Sequence, residues 1–245
     1  MEPSKKVLFV SNWIKNYAES MPSKAQALVV GISGGIDSSV SSTLSAMTGL
    51  KTIVLSMPIK QKKSEHDLSL KHQEWLIKNF KNVEAHTLNL DKLFESFENS
   101  LSKFDSEHGM ANSRARLRMT TLYQVAATNK GIVVGTGNKV EDFGVGFYTK
   151  YGDGGVDISP IADCNKTEVW EMGRELNILK EIINAPPTDG LWDDGRTDEG
   201  QLGLKYSELE EAMDNLNSLN REKYEKIRKL NLHKMEPIPV CKIPN

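Results

Sequence analysis

The order of the apolar runs along these 245 residues predicts an α/β fold, a mostly parallel sheet with helices on both faces. Three observations carry that prediction. Short continuous apolar runs rich in β-branched residues recur at 27–32, 52–55 and 131–135, with a weaker one at 83–90. Strands buried on both faces read this way. Between the runs lie longer stretches with helical apolar spacing, giving βαβα order. The first run feeds directly into a glycine- and serine-rich turn at 33–39 that opens a helix, the place where such sheets bind ligands.

Taken in order, residues 4–19 place Val7, Leu8, Val10, Ile14 and Tyr17 at helical spacing behind Ser4, a candidate N-cap. The strand at 27–32 follows, then a helix over 37–48 and the strand at 52–55. A helix over 65–80 is introduced by Ser64 with Asp67 three residues on, a capping-box pattern. The weak strand leads to helices over 91–104 and 112–128, and the fourth strand to a glycine-rich segment. After residue 160 the strand signal stops. Residues 166–183 and 205–230 read as helices, separated by a polar loop at 185–200. No repeat, low-complexity run or linker divides the chain, so 1–245 is expected to be one domain.

Composition narrows the function. A net charge of −2 offers no global attraction to nucleic acid or membrane, so an anionic ligand needs a local site. No window of 18 apolar residues exists and the N-terminus mixes charge into its apolar residues, which predicts a cytoplasmic protein. Two cysteines, Cys164 and Cys241, form neither a CxxC pair nor a disulfide framework.

The turn is the first chemical signal. In Ser33-Gly34-Gly35-Ile36-Asp37-Ser38-Ser39, the glycines let the backbone bend and approach an anion, the amides at the helix start point toward it, and three hydroxyls add donors. This is the chemistry of a pyrophosphate cradle. No GxxxxGK[ST] or GxGxxG occurs in the chain, so neither the P-loop nor the dinucleotide fingerprint accounts for it. A plain Gly-Ser turn is the alternative. The turn resembles the loop of the N-type ATP pyrophosphatases, which cleave ATP between its α and β phosphates and transfer AMP to an oxygen of the substrate.

The second signal lies at 131–155, where eight of the 18 glycines fall within 25 residues and about two would be expected. Here Gly135-Thr136-Gly137-Asn138-Lys139-Val140-Glu141 leaves a strand end, and Thr149-Lys150-Tyr151-Gly152-Asp153-Gly154-Gly155-Val156-Asp157 gathers acids and a lysine. Together with Asn112 to Met119, Pro187-Thr188-Asp189 and Thr197-Asp198-Glu199, these motifs resemble ammonia-dependent NAD synthetase over about 26–210, most specifically at 149–157.

The resemblance implies a doubly wound, five-stranded parallel sheet. It also implies ATP-dependent amidation of deamido-NAD (nicotinate adenine dinucleotide) by ammonia through an adenylate, giving NAD, AMP and pyrophosphate. ATP would be held by Gly31, Ser33, Gly34, Gly35, Asp37, Ser38, Ser39, Met57, Thr136, Lys166 and Thr188, and Mg²⁺ by Asp37 and Glu141. Asn112, Arg116, Lys150, Asp153, Asp157, His233 and Lys234 would meet the substrate, with Asp153 and Lys166 catalytic. His233 and Lys234 resemble a tail element that reaches the partner subunit's substrate, so a homodimer with active sites at the interface is implied.

Bland alternatives stand beside these roles. A carboxylate at a helix start, such as Asp37, also stabilises the helix dipole. Lys166 sits at a helix start, where a lysine is misplaced unless an anion compensates it. Arg114 and Arg118, four apart around Arg116, suit a simple solvated face. Asp-Gly turns are common as turns, and of Phe147, Tyr148 and Tyr151 packing is expected for two. Ammonia rather than glutamine is the expected nitrogen donor, because no length remains after the matched region for a glutaminase. Other functions on the same loop, GMP-synthetase-like amidation or an ATP-binding sensor without chemistry, are the competing readings.

Overall fold

The computed structural model describes residues 1–61, 63–188 and 197–244, without the side chains of 63–65. The expected capping by Ser64, and Asp189 with half of the polar loop, lie outside the described residues. The elements run α1 (Pro3–Ser20), β1 (Ala27–Gly31), α2 (Ile36–Met47), β2 (Lys51–Ser56), α3 (Lys63–Asn79), β3 (Val83–Thr87), α4 (Asp91–Ser100) with a 3₁₀ turn at Ser102–Phe104, α5 (Glu107–Thr128) and β4 (Ile132–Val133). A π-helical segment at Lys139–Val145 follows, then α6 (Lys166–Glu175), α7 (Lys180–Ile183), α8 (Asp198–Leu202), α9 (Tyr206–Asp214) and α10 (Arg221–Met235).

The sheet order is β3-β2-β1-β4 and every pairing is parallel. Among the described residues it has four strands, not the expected five; a single parallel bridge between Val134 and Ile158 is all that forms of a fifth. Asp157 explains why pairing goes no further on its side, because its Oδ2 accepts from the Val133 N–H at 2.7 Å, taking a donor that a ladder would use. The chain winds outward from β1 through β2 to β3, then returns across β1 to β4. The switch in direction lies between β1 and β4, so their carboxyl ends open the crevice where such sheets bind ligands.

Burial accounts for the sequence pattern. In β1, Leu28 and Val30 pack into the core beneath α1, α2 and α6, while Ala27 and Val29 pack into the opposite core with Phe94, Met119 and Leu122. Both faces are covered, hence the unbroken apolar run. β3 is an edge strand: Glu84 takes the Lys51 ammonium at 3.0 Å and the His86 ring at 2.7 Å, a polar edge that blocks further pairing and weakens the sequence signal.

α1 begins at Pro3 rather than behind Ser4, since proline's fixed φ suits the first helical turn. α5 begins at Glu107, five residues before the expected 112, because Ser106 caps it by accepting from the Gly109 N–H. The expected helices at 166–183 and 205–230 are each divided in two, the first where Asn177 takes the left-handed conformation (φ 55°).

Gly131 leads into β4, and a Cβ there would lie 2.5 Å from the Ala27 carbonyl oxygen. That neighbour is backbone of the central strand and has no rotamer to yield. Gly131→Ala is expected to destabilise the fold by about 1–3 kcal/mol, read as a lower denaturant midpoint. An unchanged midpoint would mean that β1 and β4 separate more easily than this packing implies.

Candidate active site

The carboxyl end of β1 carries the cradle. Gly34 takes φ 94°, a conformation open to glycine at no steric cost, and Gly35 precedes α2. The Gly35 N–H donates to Ser33 Oγ at 3.1 Å, Ser38 Oγ donates to the Gly35 carbonyl at 3.1 Å, and the Ser33 and Ser38 hydroxyls meet at 3.0 Å. The turn is therefore shaped by its own hydroxyls. Ser39 is fully buried and donates to the Gly35 carbonyl at 2.9 Å, so it shapes the cradle from below instead of lining it.

The carboxyl end of β4 supplies the opposite wall. Asn138, fully buried, accepts from the N–H groups of Val140 and Glu141 at 3.0 and 3.1 Å, starting the π-helical segment. Its amide donates to Asp37 Oδ1 at 3.1 Å and so ties the two strand ends together. Lys166, the first residue of α6, is 2% exposed and donates to Asp37 Oδ2 at 2.6 Å and Glu141 Oε1 at 2.8 Å. The anions that a lysine at this helix start requires are thus in place.

Burial alone would lower the Lys166 amino group, but Asp37 and Glu141 outweigh it and hold the ammonium above the usual lysine range. Burial pushes the Asp37 carboxyl up against the opposing pull of Lys166. For Glu141 burial is overcome by Lys166 and by donors including Tyr206, and its carboxyl is held down.

A cavity of about 290 Å³ spans this ground. Its lining includes Gly31, Ser33, Gly34, Gly35, Asp37, Ser38, Met57, Thr136, Lys166 and Thr188, all but Ser39 of the expected ATP set, together with Glu141 and Asp153. Asp37 and Glu141 both set carboxylate oxygens on the Lys166 ammonium and both line the cavity, a pair of hard oxygen donors beside the cradle. That fits Mg²⁺, which is commonly held by one or two carboxylates with substrate phosphates completing the shell.

The remaining expected residues form a second group beside the first. Asn112 accepts from Thr149 Oγ1 at 2.6 Å, Arg116 Nε donates to the Lys150 carbonyl at 3.2 Å, and Lys150 Nζ reaches the His233 carbonyl at 3.3 Å. Lys234 Nζ donates to the Tyr148 carbonyl at 2.8 Å, and Tyr148 donates its hydroxyl to the Lys234 carbonyl at 2.6 Å. His233 and Lys234 therefore meet the 148–150 loop of their own chain through α10. Asp157 lies outside the cavity lining and braces the sheet, accepting from Val133 and from the Tyr123 hydroxyl at 3.0 Å. Phe147 packs against the core beneath α9 and α10, whereas Tyr151 is largely exposed.

Asp153 Oδ1 accepts from the Thr149 N–H at 2.9 Å. It faces solvent through the open cavity, yet the surrounding protein pushes its carboxyl up to about 6. Asp142, not singled out in the sequence, fills the space that a Cβ on Gly137 would need; burial, then the Asp153 charge, raise its carboxyl well above the ordinary range. Tyr206 was missed too. Its buried hydroxyl donates to Glu141 and lies 3.2 Å from Asp198, and burial with these carboxylates keeps the phenol protonated.

A family model described as NAD synthase matches residues 7–243. The chain is 36% identical to the NH(3)-dependent NAD(+) synthetase of Alkaliphilus metalliredigens, over 98% of this chain and 99% of that one. It is 38% identical to the protein of the same name from Carboxydothermus hydrogenoformans, over 81% and 80%. The structure of NMN synthetase from Francisella tularensis superposes with a TM-score of 0.90 at 31% identity, covering 99% of this chain and all of that one.

Proposed function

The chain belongs to the NAD synthase family, and from that premise we propose that it forms NAD from deamido-NAD, ATP and ammonia. The carrying observation is the Lys166 ammonium between Asp37 and Glu141, facing the amides of the cradle at the switch point of the sheet. The nicotinate carboxylate attacks the α-phosphorus, the bond to the β-phosphate bridging oxygen breaks, and pyrophosphate leaves from the cradle. Ammonia then adds to the acyl adenylate, AMP departs, and one proton passes to a base. Negative charge builds in the first step, and Lys166 with the cradle amides meets it there. Asp37 and Glu141 would hold Mg²⁺, which when bound neutralises phosphate oxygens.

The names of the relatives matched over nearly their whole length support ammonia as donor. The group around Asn112, Arg116 and Lys150 is the proposed substrate side, where an arginine fork suits carboxylate and phosphate. A homodimer is part of the proposal. Beside α5 an open cavity of about 700 Å³ is lined by Met119, Tyr123, Tyr151 and Val156. No helix among the described residues is long and apolar enough to cross a membrane, and the two free cysteines suit a cytoplasmic setting.

A second acceptor is favoured by one observation, the close superposition on an NMN synthetase: nicotinate mononucleotide carries the same carboxylate on a smaller nucleotide. The purified chain with ATP, Mg²⁺ and ammonium is to be offered deamido-NAD, nicotinate mononucleotide and xanthosine monophosphate in turn. The expected result is the highest kcat/KM for deamido-NAD. A tenfold preference for the mononucleotide would replace the first reading with the second, and absence of pyrophosphate with every acceptor would favour the sensor.

A further inference from the structure

Tyr206 opens α9, and its backbone N–H donates to Glu199 Oε1 at 2.9 Å. The side chain is 1% exposed and belongs to the cluster of Val140, Val145, Leu209 and Tyr224. Packing there asks only for an aromatic ring, which phenylalanine would supply at nearly the same volume. The hydroxyl is a buried polar group that costs free energy unless it is bonded. It is bonded to Glu141, on the same Oε1 that takes Lys166. A phenol has one proton, and the nearer of its two carboxylate neighbours receives it, with Asp198 the more distant.

The ring does separate work. Lys166 Nζ lies 4.8 Å from the Tyr206 centroid and 5.9 Å from that of Trp170, and the two rings meet edge to face at 89°. A buried ammonium over an aromatic face is attracted by the ring quadrupole. One side chain thus touches both halves of the charged centre, the carboxylate through its edge and the lysine through its face.

We infer that Tyr206 is a positioning residue of the adenylation centre, its hydroxyl orienting Glu141 toward the metal and its ring holding Lys166 on the phosphate side. The inference rests on the proposed reaction for its purpose, but its geometry stands without a known acceptor. Partners that orient metal ligands from behind change metal affinity or activity by about 10- to 100-fold when removed.

The test separates hydroxyl from ring. Tyr206→Phe keeps the ring and removes the donor; Tyr206→Leu removes both. Mn²⁺ binding is titrated by electron paramagnetic resonance in the presence of α,β-methylene-ATP, a readout that needs no turnover. Tyr206→Phe is expected to weaken Mn²⁺ binding about tenfold or more and to leave nucleotide affinity at saturating metal within about twofold. Tyr206→Leu should weaken both. In a Glu141→Gln background, Tyr206→Phe should add nothing, because the hydroxyl acts through Glu141. Unchanged Mn²⁺ binding in Tyr206→Phe, or an equal further loss in the Glu141→Gln background, overturns the inference and leaves the hydroxyl as core packing. Failure of the proposed reaction appears separately, as absent pyrophosphate release by the unmodified chain with every acceptor.

Discussion

Asp37→Asn and Glu141→Gln are each expected to lower pyrophosphate release by on the order of a hundredfold or more while the chain still folds. Each replacement keeps size and shape and removes one negative charge from a centre where both carboxylates face Lys166. Removing one partner of a buried ion pair is ordinarily costly because the other charge is stranded. Here Lys166 keeps its second carboxylate in either variant, so the larger loss falls on activity and the smaller on stability. Raising Mg²⁺ should recover part of the rate, since what is lost is a metal contact. Near-normal pyrophosphate release by either variant at ordinary Mg²⁺ would remove that residue from the proposed ligand set. Thermal unfolding of the same samples separates this outcome from simple loss of fold.

Legibility in the sequence followed how local each interaction is. The cradle could be read because residues 33–39 make their own turn, and β1 because an apolar run covered on both faces leaves an unmistakable pattern. Lys166 could be read through its misplacement at a helix start, and the structure supplies the two anions. What escaped is contact across sequence distance. Asn138 reaches Asp37 from 101 residues away and Tyr206 reaches Glu141 from 65. No spacing rule connects them, and a tyrosine at the start of α9 looks like any core aromatic. The fifth strand failed for a related reason: the side chain of Asp157 takes the backbone donor that continued pairing would use. The breaks within 166–183 and 205–230 were hidden because Asn177 and the 215–220 turn carry neither proline nor glycine.

Asp153→Asn is expected to divide the two half-reactions. Ammonium has no lone pair, and amines are mostly protonated at neutral pH, so amide formation needs a carboxylate that attracts the cation and accepts its proton. Adenylation needs no such base, because the substrate carboxylate is already a nucleophile. Asparagine keeps an oxygen for the Thr149 N–H, so the 149–153 turn should survive the change. Adenylation with pyrophosphate release should therefore persist, while NAD formation falls by about 10²- to 10⁴-fold and partly recovers at higher pH, where free ammonia is more abundant. The pH profile gives an independent check. The protein around Asp153 disfavours its charge and lifts its carboxyl from 3.8 to about 6, against the pull of the Thr149 N–H. The base form is lost as pH falls through about 6, so amide formation should decline there in the parent chain, and Asp153→Asn should lack that limb. The stability contribution runs the other way. A carboxyl with a raised folded pKa favours the folded state at low pH, and that contribution disappears as pH rises through the same value. Activity and stability linked to this group should cross in opposite directions near pH 6, which a common unfolding event cannot produce. Equal loss of both half-reactions in Asp153→Asn would instead assign the residue to the adenylation centre or to the turn that Thr149 closes.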